Sequence, residues 1–210
     1  MSAYDFHDGN GPVPAHQHPN GDGWVADTAV VSSTVFVSKK AAVFGKARVF
    51  NSATILDYAQ VYDDAQVFGE ARVEIYAQVF GRARVYDRAL IYERARIYGN
   101  ATVCGRAAIY GDAHVYDSAL VFDQARVYGD AQVYGRARVF GAALVCGTCR
   151  IAGHSRVDYE IDTGDLLGPD PGGAKGRFAA PADGCECGAH KTYGFGKGHP
   201  GHSDYCQWKK

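Results

Sequence analysis

Ala131-Gln132-Val133-Tyr134-Gly135-Arg136 is followed at once by Ala137-Arg138-Val139-Phe140-Gly141-Ala142. Both hexads read small, variable, aliphatic, aromatic, glycine, variable. Counting outward from Val133 in steps of six meets Val or Ile at every stop from Val25 to Val157. Four residues after each stop up to Ile151 stands a small side chain: Ala from Ala41 through Ala143, with Val35 before that run and Cys149 and Ser155 after it. No insertion shifts the beat between those ends.

A strand repeats every two residues and a helix every 3.6, so a strict six describes a larger object. In each hexad the small and the aliphatic residue lie two apart and point the same way. The variable and aromatic residues between and after them point the other way, and the last two residues turn a corner. Short strands joined by corners at a fixed period form a solenoid, whose units bury their apolar side only by stacking on one another. The pattern resembles the hexapeptide repeat of left-handed parallel β-helices, in which three hexads make one triangular coil. That resemblance covers about two thirds of the chain and implies an all-β fold, a left-handed parallel β-helix over residues 25–161. The hand comes from the resemblance alone, because parallel crossovers are in general right-handed. Twenty-three hexads give seven to eight coils, a prism on the order of 35 Å long at about 4.8 Å per coil. Proline is absent between residues 25 and 161, as a ladder of central strands requires.

Sorted by a period of eighteen, the outward positions fall into three columns. The first holds Phe44, Tyr62, Phe80, Tyr98, Tyr116 and Tyr134, the second Phe50, Phe68, Tyr86, Cys104, Phe122 and Phe140, and the third Leu56, Glu74, Tyr92, Tyr110, Tyr128 and Cys146. Aromatic residues favour strands, stack for about 0.5–1.5 kcal/mol a pair and accept arginine over their rings, which accounts for much of this pattern. A strip six rings long nevertheless exceeds the few hundred Å² of apolar surface that monomers show, so at least one face is expected to be covered. Hexapeptide-repeat proteins are commonly trimers packed side by side. The resemblance therefore implies a homotrimer or larger assembly, with the first column as its interface.

The net charge of −1 over 210 residues provides no general attraction for nucleic acid. No stretch is long and apolar enough for a membrane span, and Met1–Asn10 lacks the basic start and apolar run of an export signal. The expectation is a soluble, unexported protein, cytoplasmic or in a virion, with no membrane partner. Residues 1–24 are rich in Gly, Pro and His without a period and read as an irregular arm, with Phe6 and Trp24 covering the open end of the coil. His7, His16 and His18 in that arm are either metal ligands or ordinary polar residues. The segment His18–Ala29 resembles the opening of a group of hexapeptide-repeat proteins of bacteria and phages.

Residues 162–183 read as a linker, after Tyr159, Ile161, Leu166 and Leu167 close the far end of the coil. Residues 184–210 are too few for a hydrophobic core and need a staple. Cys and His at short spacings suggest zinc, with a disulfide from Cys206 to Cys185 or Cys187 as the alternative. The pattern Cys-x-Cys-Gly, Lys-Thr, His-Ser-x-x-Cys resembles small zinc-binding tails of phage and bacterial proteins. It implies Cys185, Cys187, His202 and Cys206 as ligands, with His190 and His199 in reserve. Cys146 and Cys149 share a Cys-x-x-Cys spacing, but one points out and the other in, so packing explains them better than redox chemistry.

The best-known enzymes of this fold are acyltransferases, which need a general-base His at a subunit junction and usually a loop thrown from a corner. Here the coil carries only His114, expected beside Tyr116, and His154 at a late corner, with no loop. A γ-type carbonic anhydrase would need three converging histidines. The expectation is a non-enzymatic structural or scaffold protein of a phage particle or phage-encoded assembly, with no small-molecule substrate. The first alternative is an acyltransferase-like enzyme with His114 as base. The second is a module that binds nucleic acid or a host protein, with Lys191, Lys197, Lys209, Lys210, Tyr193 and Trp208 on a zinc knuckle.

Overall fold

The computed structural model describes residues 2–162 and 164–166. Each hexad contributes one two-residue strand, made of the variable residue and the aliphatic one after it, such as Gln78–Val79 or Arg84–Val85. Successive strands belong to different sheets, and each pairs in parallel with the strand eighteen residues away: Val61 with Val79, Val67 with Val85, Val73 with Ile91. The result is a parallel β-solenoid with three flat faces. Two faces are eight strands deep, and the first is eleven. No helix occurs among the described residues, so none is present to cross a membrane.

The aliphatic and alanine columns fill the interior. From Val35 to Val157 every aliphatic and small core position except Ser155 joins one continuous cluster at 1% exposure or less. Each buried Val or Ile contributes roughly 1.5–3 kcal/mol, so stability is distributed along the column.

The corners explain the glycine and aspartate of the repeat. From Gly45 to Gly153 every sixth residue has a positive φ, whether glycine, Asp, Asn51, Glu93 or Ile75. Glycine enters this left-handed region freely, and Asp and Asn tolerate it better than other residues. Corners also stack closely. A Cβ on Gly99 would lie 2.8 Å from the backbone nitrogen of Asp117, closer than van der Waals contact allows.

The N-terminal arm, expected to be irregular, is ordered. Strand β1 (Ser2–Tyr4) pairs antiparallel with β2 (Val13–Gln17), which pairs antiparallel with β3 (Trp24–Ala26), the first strand of the first face. The free edge of a parallel sheet offers a row of unpaired backbone groups, and a meander satisfies them with little demand on sequence period. The end of the coil is covered differently from the expected Phe6 and Trp24 plug. Residues 18–23 cross it, with Val37 N–H donating to Asn20 O, Gly23 N–H to Val37 O and the Asn20 side-chain amide to Val35 O. His18 is buried there, its Nε2 3.2 Å from Ser32 O and its Nδ1 3.3 Å from the Asn20 backbone. Phe6 is buried against Phe44, and Trp24 stacks on Tyr4 at 4.3 Å.

At the other end the coil outlasts its six-residue beat. After Val157 the spacing shortens: Val145 pairs with Ile161 and Ile151 with Leu166. Ile161 is in the core, with Tyr159 and Leu166 packed against it. Leu167, most of the expected linker and the whole of 184–210 lie outside the described residues.

Candidate functional site: the aromatic wall of the first face

The outward side chain after each core aliphatic stands perpendicular to its sheet. In-register pairing puts equivalent side chains one strand spacing apart, about 4.8 Å, which matches the offset between stacked rings. Phe44, Tyr62, Phe80, Tyr98, Tyr116 and Tyr134 accordingly form one column, with successive centroids 4.8–4.9 Å apart and planes within 6°. Phe6 adds a seventh ring, 4.8 Å from Phe44. Arg150 closes the other end with its guanidinium 5.7 Å from the Tyr134 centroid and a hydrogen bond to the Tyr134 hydroxyl.

Stacking hides the ring faces from water and leaves their edges. Phe44 is buried and the other five are half-buried, so none ranks with Tyr58 or Tyr76, at 43% and 54%, as an exposed ring. The wall is flat and partly self-covered. Desolvation in the stack raises the Tyr62, Tyr98 and Tyr116 phenols above their ordinary value. They therefore stay neutral over the physiological range.

The other two columns are interrupted as their sequences require. On the second face Phe68 stacks on Tyr86 at 4.8 Å and Phe122 on Phe140 at 5.3 Å, with the Cys104 thiol hydrogen-bonded to Tyr86 in between. Arg84 and Arg156 lie beside these rings at 5.6–5.9 Å. On the third face Glu74 precedes a short stack of Tyr92, Tyr110 and Tyr128, 4.7–4.8 Å apart, and Tyr110, Tyr128 and Cys146 are buried. Only the first face carries an unbroken column.

Residues 95–108 and 131–147 match a family described as the YdcK beta-solenoid repeat. No curated protein and no solved structure matches the chain. The two segments similar to the YdcK repeat include strands of all three faces, Arg96–Ile97, Thr102–Val103 and Leu144–Val145 among them. Tyr98 and Tyr134 of the wall lie inside the matched segments. The likeness supports a β-solenoid repeat and carries no activity with it.

The other candidates are placed apart from one another. His114 stands edge-on to Tyr98 of the neighbouring coil, centroids 6.0 Å apart at 82°. Burial and then Arg96 hold its pKa below the ordinary histidine value. His154 is exposed at its corner. In the arm, His16 pairs with Asp27 at 2.8 Å, His7 with Asp5 at 3.7 Å, and His18 belongs to the end cover. No group of three or more His, Cys, Asp or Glu among the described residues is arranged to hold a metal. Cys146 and Cys149 are buried and form no disulfide. Cys185, Cys187, His202 and Cys206 lie outside the described residues, as do His190 and His199.

One pair of rings was missed in the sequence. Tyr58 and Tyr76 stack at 5.0 Å on a corner, with Lys40 4.7 Å above the Tyr58 ring and 2.7 Å from its hydroxyl. The period of eighteen that orders the strand residues also places Tyr58 and Tyr76 in one corner column.

Proposed function

We propose that this β-solenoid repeat protein is a structural or scaffold component whose first face packs side by side against other copies of the chain. The observation that supports this reading most is the unbroken column from Phe44 to Tyr134, a flat apolar wall on a coil whose register no loop interrupts. A homotrimer is the assembly favoured, since three prisms can cover one another around an axis. A phage particle or phage-encoded assembly is the proposed setting, on the resemblance of the opening segment and the tail. Zinc at Cys185, Cys187, His202 and Cys206 is the proposed cofactor, stapling a tail that docks the assembly.

Light scattering on the full chain tests the wall. The expected mass is three times that of the monomer, and the double variant Tyr98→Arg/Tyr116→Arg is expected to run as a folded monomer. A monomeric wild type at tens of micromolar, or an assembly unchanged by the double variant, overturns the proposal.

A further inference from the structure

The corner between the third and first faces carries a feature that scaffold packing does not use. Three successive coils each place one corner residue and one strand residue beside it: Tyr76 with Gln78, Arg94 with Arg96, and Asp112 with His114. In-register pairing stacks Gln78, Arg96 and His114 in a second column. Together the six line an open concavity of about 610 Å³, within the usual ~300–1,000 Å³ of small-molecule sites.

Its two arginines are in no carboxylate ion pair among the described residues. The arginines paired with carboxylates among the described residues are Arg72, with Glu74, and Arg88, with Glu70 at 2.8 Å. The second pairing lies in another concavity, lined by Glu70, Asp87, Arg88 and Arg106, and its arginine is already committed. Arg94 and Arg96 are exposed and have no such partner among the described residues. Asp112 is the one carboxylate lining the notch, against two guanidinium groups and an imidazole. Next to them the Tyr76 ring is 54% exposed and braced from behind by Tyr58 at 5.0 Å.

We propose that this notch binds a nucleoside monophosphate, with Arg94 and Arg96 holding the phosphate, His114 as a third donor and Tyr76 as the platform for the base. Two guanidinium groups from one coil present forked donors matched to phosphate oxygens. Tyr76, more than half exposed, offers ring surface on which a base can stack. The depressed pKa of His114, caused by burial and then by Arg96, is what an anion placed between them would reverse. Arg96 and His114 belong to the first face itself, so the site is proposed at its corner rim, where it stays open when the wall packs against other copies.

Calorimetry and histidine NMR on the full chain, with AMP, inorganic phosphate and adenosine as probes, test the assignment. AMP is expected to bind most tightly and to raise the His114 pKa, and Arg94→Gln/Arg96→Gln is expected to weaken AMP at least tenfold. Tyr76→Ala is expected to remove the advantage of AMP over phosphate. The mass of each variant is measured alongside, so that loss of ligand and loss of assembly are read separately. Absence of AMP binding at millimolar concentration, equal affinity for AMP and phosphate, or unchanged affinity in the arginine double variant overturns the assignment.

Discussion

The Asp117 carboxylate accepts the backbone N–H of Gly135, one coil further on, at 3.1 Å. Asp63, Asp87 and Asp123 do the same for Gly81, Gly105 and Gly141 at 3.0–3.1 Å. Corner aspartates thus bind neighbouring coils together in addition to tolerating the left-handed backbone. Corner glycines solve a different problem, one of room.

Gly99→Ala tests this division. The added Cβ would meet the Asp117 backbone at 2.8 Å in a residue at φ +69°, so both space and conformation oppose it. The variant is expected to lose more than about 1 kcal/mol, read as a lower urea midpoint. An unchanged midpoint would show that the corner yields without cost.

Ile75 is the misfit of the corner series. It is β-branched at φ 66°, where its column has Asp57 before it and Glu93 after it. A left-handed backbone costs an ordinary L-residue roughly 1–2 kcal/mol, and Asn enters it more easily. Ile75→Asn is expected to stabilise the chain by about 0.5–1 kcal/mol, and a lower midpoint for this variant would contradict the strain argument.

The pH dependence of stability should carry a mark of His114. Its native pKa is depressed from 6.5, so below that value the unfolded chain binds a proton that the native chain resists, and stability falls with falling pH. The loss begins near pH 6.5 and levels off below the native pKa. His114→Gln is expected to flatten the fall of the urea midpoint below about pH 6.5; parallel curves for variant and wild type would exclude the effect.

Burial pushes the Cys149 thiol up to about 11, and Cys149 lies wholly inside the coil. The thiolate is the reactive form. Alkylation of native protein at pH 8, followed by peptide mapping, should leave Cys149 unmodified until the chain is unfolded. Labelling at the rate of a free thiol would mean that the last coils open readily.

The zinc proposal predicts about one zinc per chain by elemental analysis. Cys187→Ser should lower that content sharply, without changing the melting of the coil. Metal-free wild type purified without chelator would rule zinc out.

Much of the fold was legible because a solenoid repeats one local rule. A period of six with two inward positions names the core residues, and the period of eighteen names the columns, so the sequence alone places Val133 inside and Tyr134 outside. The N-terminal arm was not legible, because β1 and β2 satisfy a sheet edge through their backbones and need no recurring side chain. The end of the coil was blurred for a related reason: Ile161 and Leu166 fill core positions at spacings that the count by six passes over.

What the sequence determined by itself is therefore the inside of the molecule and the order of the rings along each face, since both follow from period and side-chain volume. Only the tertiary structure decided which rings shield one another, that residues 18–23 cover the first coil, and that Arg94, Arg96 and His114 line one notch with Tyr76. These depend on side chains from different coils and faces meeting at a corner. Their separations in the chain carry no local signal, and only the winding of the backbone brings them within reach.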